Sequence, residues 1–254
     1  MGTVGMDHAW AERAGRVMVA LDVPSAERAR TLLEQLRGIP CYIKVGMQLF
    51  YAAGPGFVAS LKEQGYKVFL DLKMHDIPNT VAGGAESITR LGVDMFNVHA
   101  VGGVRMMEAA MEGMRRGLEA LREEGRLPSA PPLVIAVTQL TSTDQEILNR
   151  EIGIPGTVEQ SVLRYAELAR QAGLDGVVAS PWEVAAVKQA VGTDFLAVTP
   201  GIRPTGADIG DQSRIMTPKD ALAQGADYIV VGRPITAAPK PREALRSLLK
   251  ELEG

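Results

Sequence analysis

Eight short apolar runs recur along the chain, each followed by a longer segment of helical periodicity. The runs are Val17–Leu21, Cys41–Val45, Val68–Leu72, Met95–His99, Leu133–Val137, Gly176–Ala179, Phe195–Thr199 and Tyr228–Val231. Several place β-branched or apolar residues at consecutive positions, as a strand covered on both faces requires. The segments between them carry helix signals, one of them over Pro55–Gln64. Ser25 suits an N-cap, Pro181 and Pro218 suit first turns, and Gly65, Gly92, Gly125, Gly173 and Gly225 suit positions just past a helix end. Strand and helix alternating with right-handed crossovers imply a parallel sheet. Eight units in 254 residues match a closed (β/α)8 barrel, which takes about 250 residues. An open doubly wound sheet would show the same alternation.

A single α/β domain over residues 16–254 is therefore expected, preceded by a poorly ordered leader over residues 1–15. Charged residues make up 22% of the chain and the formal net charge is -3. That balance offers no basic face for nucleic acid. No apolar run approaches the roughly 20 residues needed to span a membrane. Cys41 is the only cysteine, which excludes an internal disulfide and a cysteine metal cluster and fits a reducing, cytoplasmic setting. The three histidines, His8, His75 and His99, are too dispersed for a zinc motif.

Charge gathers at the ends of the first three strands: Asp22 after the first, Lys44 in the second, Asp71 and Lys73 in the third. Side chains alternate along a strand, so Asp71 and Lys73 share the face opposite Leu70 and Leu72. If the leucines pack on helices, the two charges point into the barrel mouth. Isolated, each would be costly to bury; together they compensate. Neighbouring carboxylates would hold Lys73 as an ammonium, suited to donate a proton or to stabilise a developing negative charge. A purely structural salt-bridge network could use the same residues. Clusters of this kind concentrate at active sites, and four charges on three strands favour function.

A second constellation follows the seventh and eighth strands: Thr199-Pro200-Gly201-Ile202-Arg203-Pro204 and Val231-Gly232-Arg233-Pro234. Loops at these places in such barrels often bind phosphate. Gly232 would admit an oxyanion close to the backbone, and Arg233 could grip it bidentately. His99 ends the fourth strand and is a weaker candidate. Two long loops, Gln139–Gly156 and Gly201–Thr217, follow strands and so belong to the same face.

The run Asp71-Leu72-Lys73-Met74-His75-Asp76-Ile77-Pro78-Asn79-Thr80 resembles the signature of the orotidine 5′-phosphate decarboxylase family, in its bacterial form. The likeness extends in order through Val19-Ala20-Leu21-Asp22, Ile43-Lys44-Val45-Gly46, Val137-Thr138-Gln139-Leu140-Thr141-Ser142, Thr199-Pro200-Gly201-Ile202-Arg203 and Val231-Gly232-Arg233. The chain departs from the pattern at none of these positions.

The resemblance implies a homodimer that converts orotidine 5′-monophosphate to UMP and carbon dioxide without metal or cofactor. It implies Lys73 as proton donor to C6, in a charged tetrad with Lys44, Asp71 and Asp76 of the neighbouring subunit. It also implies Asp22 and Lys44 at the ribose hydroxyls, and Thr141 by the pyrimidine. Thr80 would reach across beside Asp76. Arg203, Gln212, Gly232 and Arg233 would hold the phosphate, with Pro200 alongside, and the loop 201–217 would close over it. Two other readings use the same scaffold. One is a magnesium-dependent sugar-phosphate decarboxylase or aldolase, which carries an acidic ligand where this chain has Lys44. The other is a barrel that binds a phosphate ligand without catalysis.

Overall fold

The computed structural model describes residues 8–204 and 216–253. Eight parallel strands close into a barrel in chain order: β1 Val17–Ala20, β2 Tyr42–Gly46, β3 Lys67–Met74, β4 Met95–His99, β5 Leu133–Val137, β6 Gly176–Val178, β7 Leu196–Thr199 and β8 Tyr228–Val231. β8 returns to pair with β1, Val17 opposite Ile229. Closure leaves no open edge, which decides between the barrel and the open sheet.

Alternation along the strands splits the interior in two. Met18, Tyr42, Phe69, Met95, Ile135 and Val198 point inward and plug the barrel. Val19, Ile43, Leu70, Phe96, Ala136, Val177, Ala197 and Ile229 point outward and join the core beneath the helices. On each strand, the inward position two residues beyond the plug faces the carboxyl-end mouth. Met18 is thus followed by Ala20 and Asp22, Tyr42 by Lys44, Phe69 by Asp71, and Met95 by Asn97.

The helices are α1 His8–Gly15, α2 Ala26–Leu36, α3 Met47–Glu63, α4 Pro78–Arg90, α5 Gly103–Glu123, α6 Val158–Gln171, α7 Val184–Val191, α8 Pro218–Ala223, α9 Arg233–Thr236 and α10 Pro241–Glu251. Ser25 caps α2 by accepting from Arg28 N, and Thr157 and Gln160 form a capping box on α6. α5 lies so close on α4 that a Cβ at Gly113 would stand 2.0 Å from the Ala82 carbonyl oxygen. At the amino-end face, Asp94, Asp175 and Asp227 each accept from a backbone N–H at the start of a neighbouring strand, those of Val68, Val134 and Ala197.

Three features differ from expectation. The leader is helical from residue 8 onward: Trp10 packs on the core, Ala14 is buried and Arg13 pairs with Glu253 at 2.7 Å. α3 begins at Met47, not Pro55; Gly54, with φ 72°, bends the chain and lets a second helical segment start at the proline. Within the long loop after β5, Ile147–Glu151 forms one π-helical turn. No helix among the described residues is long and apolar enough to cross a membrane.

Candidate active site

The carboxyl ends of the strands surround a cavity of about 410 Å³. Its floor is apolar: Ala20, Phe69, Val178 and Val230. Its wall carries Asp22, Lys44, Asp71 and Lys73 on one side, and Pro200, Arg203, Gly232 and Arg233 from the last two strands. β7 lies four strands from β3 around the ring, so Arg203 and Lys73 belong to opposite sides of the mouth, while β8 adjoins β1 and brings Gly232 beside Ala20.

Asp71 is the centre of the charged group. Its Oδ1 accepts from Lys73 Nζ at 2.6 Å and its Oδ2 lies 3.3 Å from Lys44 Nζ. Lys44 reaches onward to Asp22 Oδ1 at 3.0 Å. Lys44 is 7% exposed. Burial works against its charge, but Asp71 and Asp22 outweigh burial and raise its pKa above the ordinary lysine value. Burial likewise works against the Asp71 carboxylate, yet Lys44, Lys73 and the hydrogen bonds to it carry its pKa below the usual range. Both groups are therefore ionised at neutral pH. Gly46 belongs to this geometry: a Cβ there would come within 3.0 Å of Asp22 Oδ1 and 3.2 Å of Lys44 Nζ.

Lys73 does not continue a regular strand. Its φ is 52°, the only positive value among the described residues other than glycine, and the β3–β4 register shifts between Leu70 and Met74. Left-handed backbone at a side-chain-bearing residue persists only where its surroundings impose it, and active sites are where it gathers.

Of the residues expected at the site, Asp22, Lys44, Asp71, Lys73, Thr141, Pro200, Arg203, Gly232 and Arg233 all line the cavity. Arg203 is 8% exposed; its Nη1 donates to the Ile202 carbonyl and its backbone N–H to Met216 O, tying together the ends of the loop it begins. Gln212 and the centre of that loop lie outside the described residues. Asp76 and Thr80 are exposed and stand apart from this chain's own cavity; Asp76 Oδ1 accepts from Ile77 N at 2.6 Å. His99 also stands apart. Its Nδ1 is buried and has no hydrogen-bond partner among the described residues, and burial, with His75 and Lys73 adding, lowers its pKa.

Sequence reasoning passed over Asn97. It is 1% exposed, on β4, and hydrogen-bonds both Asp71 and the backbone of Lys73. The available signal was an amide at an inward position within the strand Met95-Phe96-Asn97-Val98-His99, since a buried amide needs partners.

Fold and site together define a barrel enzyme with a paired Lys–Asp–Lys centre at the carboxyl ends of its strands. The chain belongs to the orotidine 5′-phosphate decarboxylase / HUMPS family, whose model matches residues 15–248. It is 52% identical over 238 residues to orotidine 5′-phosphate decarboxylase of Moorella thermoacetica, covering 94% of this chain and 92% of that one. Identity to the enzyme of the same name from Bacillus mycoides is 48%, over 94% and 97% of the two chains. The crystal structure of orotidine 5′-phosphate decarboxylase from Lactobacillus acidophilus superposes with a TM-score of 0.81 at 42% identity, over 94% of this chain and 99% of that one.

Proposed function

We propose that the protein is a cytoplasmic homodimer that decarboxylates orotidine 5′-monophosphate to UMP and carbon dioxide, the last step of de novo pyrimidine nucleotide synthesis, without metal or cofactor. The observation that carries this reading is one carboxylate, Asp71, its side chain 13% exposed, held between two lysines at the rim of an apolar-floored cavity.

Breaking the C6–carboxylate bond leaves an electron pair in an sp² orbital of C6, in the plane of the ring. The ring π system cannot accept that pair. An ammonium aimed at C6 stabilises it in a site with little water, where charge interactions are strong. Lys73 takes this role and then transfers a proton to C6; carbon dioxide departs, and the amine regains its proton from solvent. Asp71 holds the Lys73 ammonium and stands near the leaving carboxylate. Lys44 completes the charge balance, and with Asp22 contacts the ribose hydroxyls. Thr141 lies by the pyrimidine. Arg203, Gln212, Gly232 and Arg233, with Pro200 alongside, hold the phosphate on the far side of the mouth. Binding energy from that remote end positions the reacting carbon. Asp76 and Thr80, exposed and outside this chain's own cavity, serve the neighbouring subunit's site.

The magnesium-dependent reading fits the residues poorly. Lys44 Nζ lies within 3.0 Å of Asp22 and 3.3 Å of Asp71, in the space between the oxygens a cation would need. Its charge would repel a divalent metal. The test is the loss of ultraviolet absorbance from orotidine 5′-monophosphate in chelator-treated buffer. Turnover there is expected. Turnover only on adding magnesium would favour the sugar-phosphate reading, and UMP binding without turnover the binding-only one.

A further inference from the structure

Asn97 lies on the inward face of β4, between Met95 in the barrel plug and His99 at the strand end. Its Oδ1 accepts from the backbone N–H of Lys73 at 2.8 Å, and its Nδ2 donates to Asp71 Oδ1 at 2.7 Å. Lys73 Nζ donates to that same oxygen at 2.6 Å. These three hydrogen bonds close a ring running from the Lys73 backbone through the amide and the carboxylate to the Lys73 side chain. The β3–β4 register slips at this place, and Lys73 adopts φ 52°. Such a conformation is costly for a side-chain-bearing residue and needs support from its surroundings. Asn97 supplies it, taking the N–H that the slipped ladder leaves to a side chain.

We propose that Asn97 is a positioning residue for the decarboxylation, whose amide fixes both the backbone turn that aims Lys73 and the carboxylate that receives the Lys73 ammonium. The inference rests on the role given above to Lys73. Asn97 itself does not line the cavity and acts only through its two partners. An amide meets the demand because it donates and accepts at fixed angles without adding charge. Leucine, of similar size, would leave the Lys73 N–H unmet and remove one donor from Asp71. An ionised aspartate would set a like charge against Asp71. A protonated aspartate would donate and accept much as the amide does.

Two variants test this. Asn97→Leu is expected to lower kcat by about 10²-fold, the cost of slight misplacement at a reacting centre, while KM and the affinity for UMP stay within about threefold. Asn97→Asp is expected to lose less activity at low pH than at high pH. Its kcat relative to wild type should rise several-fold from about pH 8 to about pH 5, where a carboxyl beside a like charge takes up its proton. The charged or titratable groups around the position are Asp71 and Lys73 from β3, Lys44 behind them on β2, and His99 on β4; β5 presents Ile135 in register. Dividing by the wild-type profile removes their own titrations.

A kcat for Asn97→Leu within about threefold of wild type, a raised KM with kcat retained, or an Asn97→Asp profile parallel to wild type would overturn the proposal. If Asn97→Leu fails to fold, the Asn97→Asp profile decides. Amide hydrogen exchange gives a reading independent of turnover: the Lys73 N–H should be protected in wild type and exchange faster in Asn97→Leu. If wild type does not turn over orotidine 5′-monophosphate, the functional reading fails, and this exchange still reports whether Asn97 holds the Lys73 turn.

Discussion

Lys73 Nζ lies 2.6 Å from Asp71 Oδ1, although the two residues stand two positions apart on one strand. Such positions in a regular strand are about 6.6 Å apart and their side chains stand parallel. The left-handed turn at Lys73 departs from that arrangement, so the contact comes with a local break in the strand.

Replacing Lys73 with alanine is expected to lower decarboxylation by about 10³-fold or more, because one group acts as both charge stabiliser and proton donor. Asp71 keeps Lys44 and Asn97 as partners, so the fold should hold. Calorimetric titration with UMP should still show binding. Activity within tenfold of wild type would end the assignment of Lys73.

Asp71→Asn leaves the Lys44 and Lys73 ammonium groups without their shared carboxylate. With the Lys44 and Asp71 side chains only 9% and 13% exposed, a loss of about 3 kcal/mol at neutral pH is expected. The folded pKa of Asp71 is depressed, so its contribution is present above the unfolded value of about 3.9 and fades as pH falls through the folded value. Lys44 is raised, so its contribution is present below about 10.4 and fades as pH rises through its folded value. Denaturant titrations should therefore show a constant gap between wild type and variant near neutrality that narrows on acidification. A gap that widened toward acid would contradict the assigned shift of Asp71.

Arg233→Ala is expected to raise KM and slow turnover, lowering kcat/KM by about 10- to 100-fold for the loss of a charge-assisted contact to phosphate. Steady-state kinetics at fixed ionic strength measure it. No change in either constant would remove Arg233 from the phosphate end.

Mixing inactive Lys73→Ala and Asp76→Ala subunits should restore activity, because each heterodimer would hold one site with both wild-type residues. Subunit exchange is followed with differently tagged chains. Proven exchange with no returning activity would sink the shared site.

All eight strands were legible from apolar runs, because a strand covered on both faces writes its burial directly into consecutive residues. The inward direction of Asp71 was legible from its parity against Leu70 and Leu72. Asn97 was not singled out, since one amide in Met95-Phe96-Asn97-Val98-His99 makes no periodic signal; its meaning depends on what lies across the β3–β4 seam. The first half of α3 was missed because Gly54-Pro55 looks like a helix start, and it is one: an earlier helical segment, from Met47, leads into it. Helix α1 was missed because its short pattern gains stability mainly from packing on the barrel.

By itself the sequence determined the order of strands and helices, the parity of each charged residue and the family, since these depend on which residues neighbour one another along the chain. Only the tertiary structure decided that Lys44 bridges Asp22 and Asp71, that Asn97 hydrogen-bonds the backbone of Lys73, and that Asp76 lies outside the cavity. Those outcomes depend on distances between strands, which closure of the barrel and a local slip in register set together. A contact of 3 Å or less is a property of that packing, and residue spacing along a chain does not encode it.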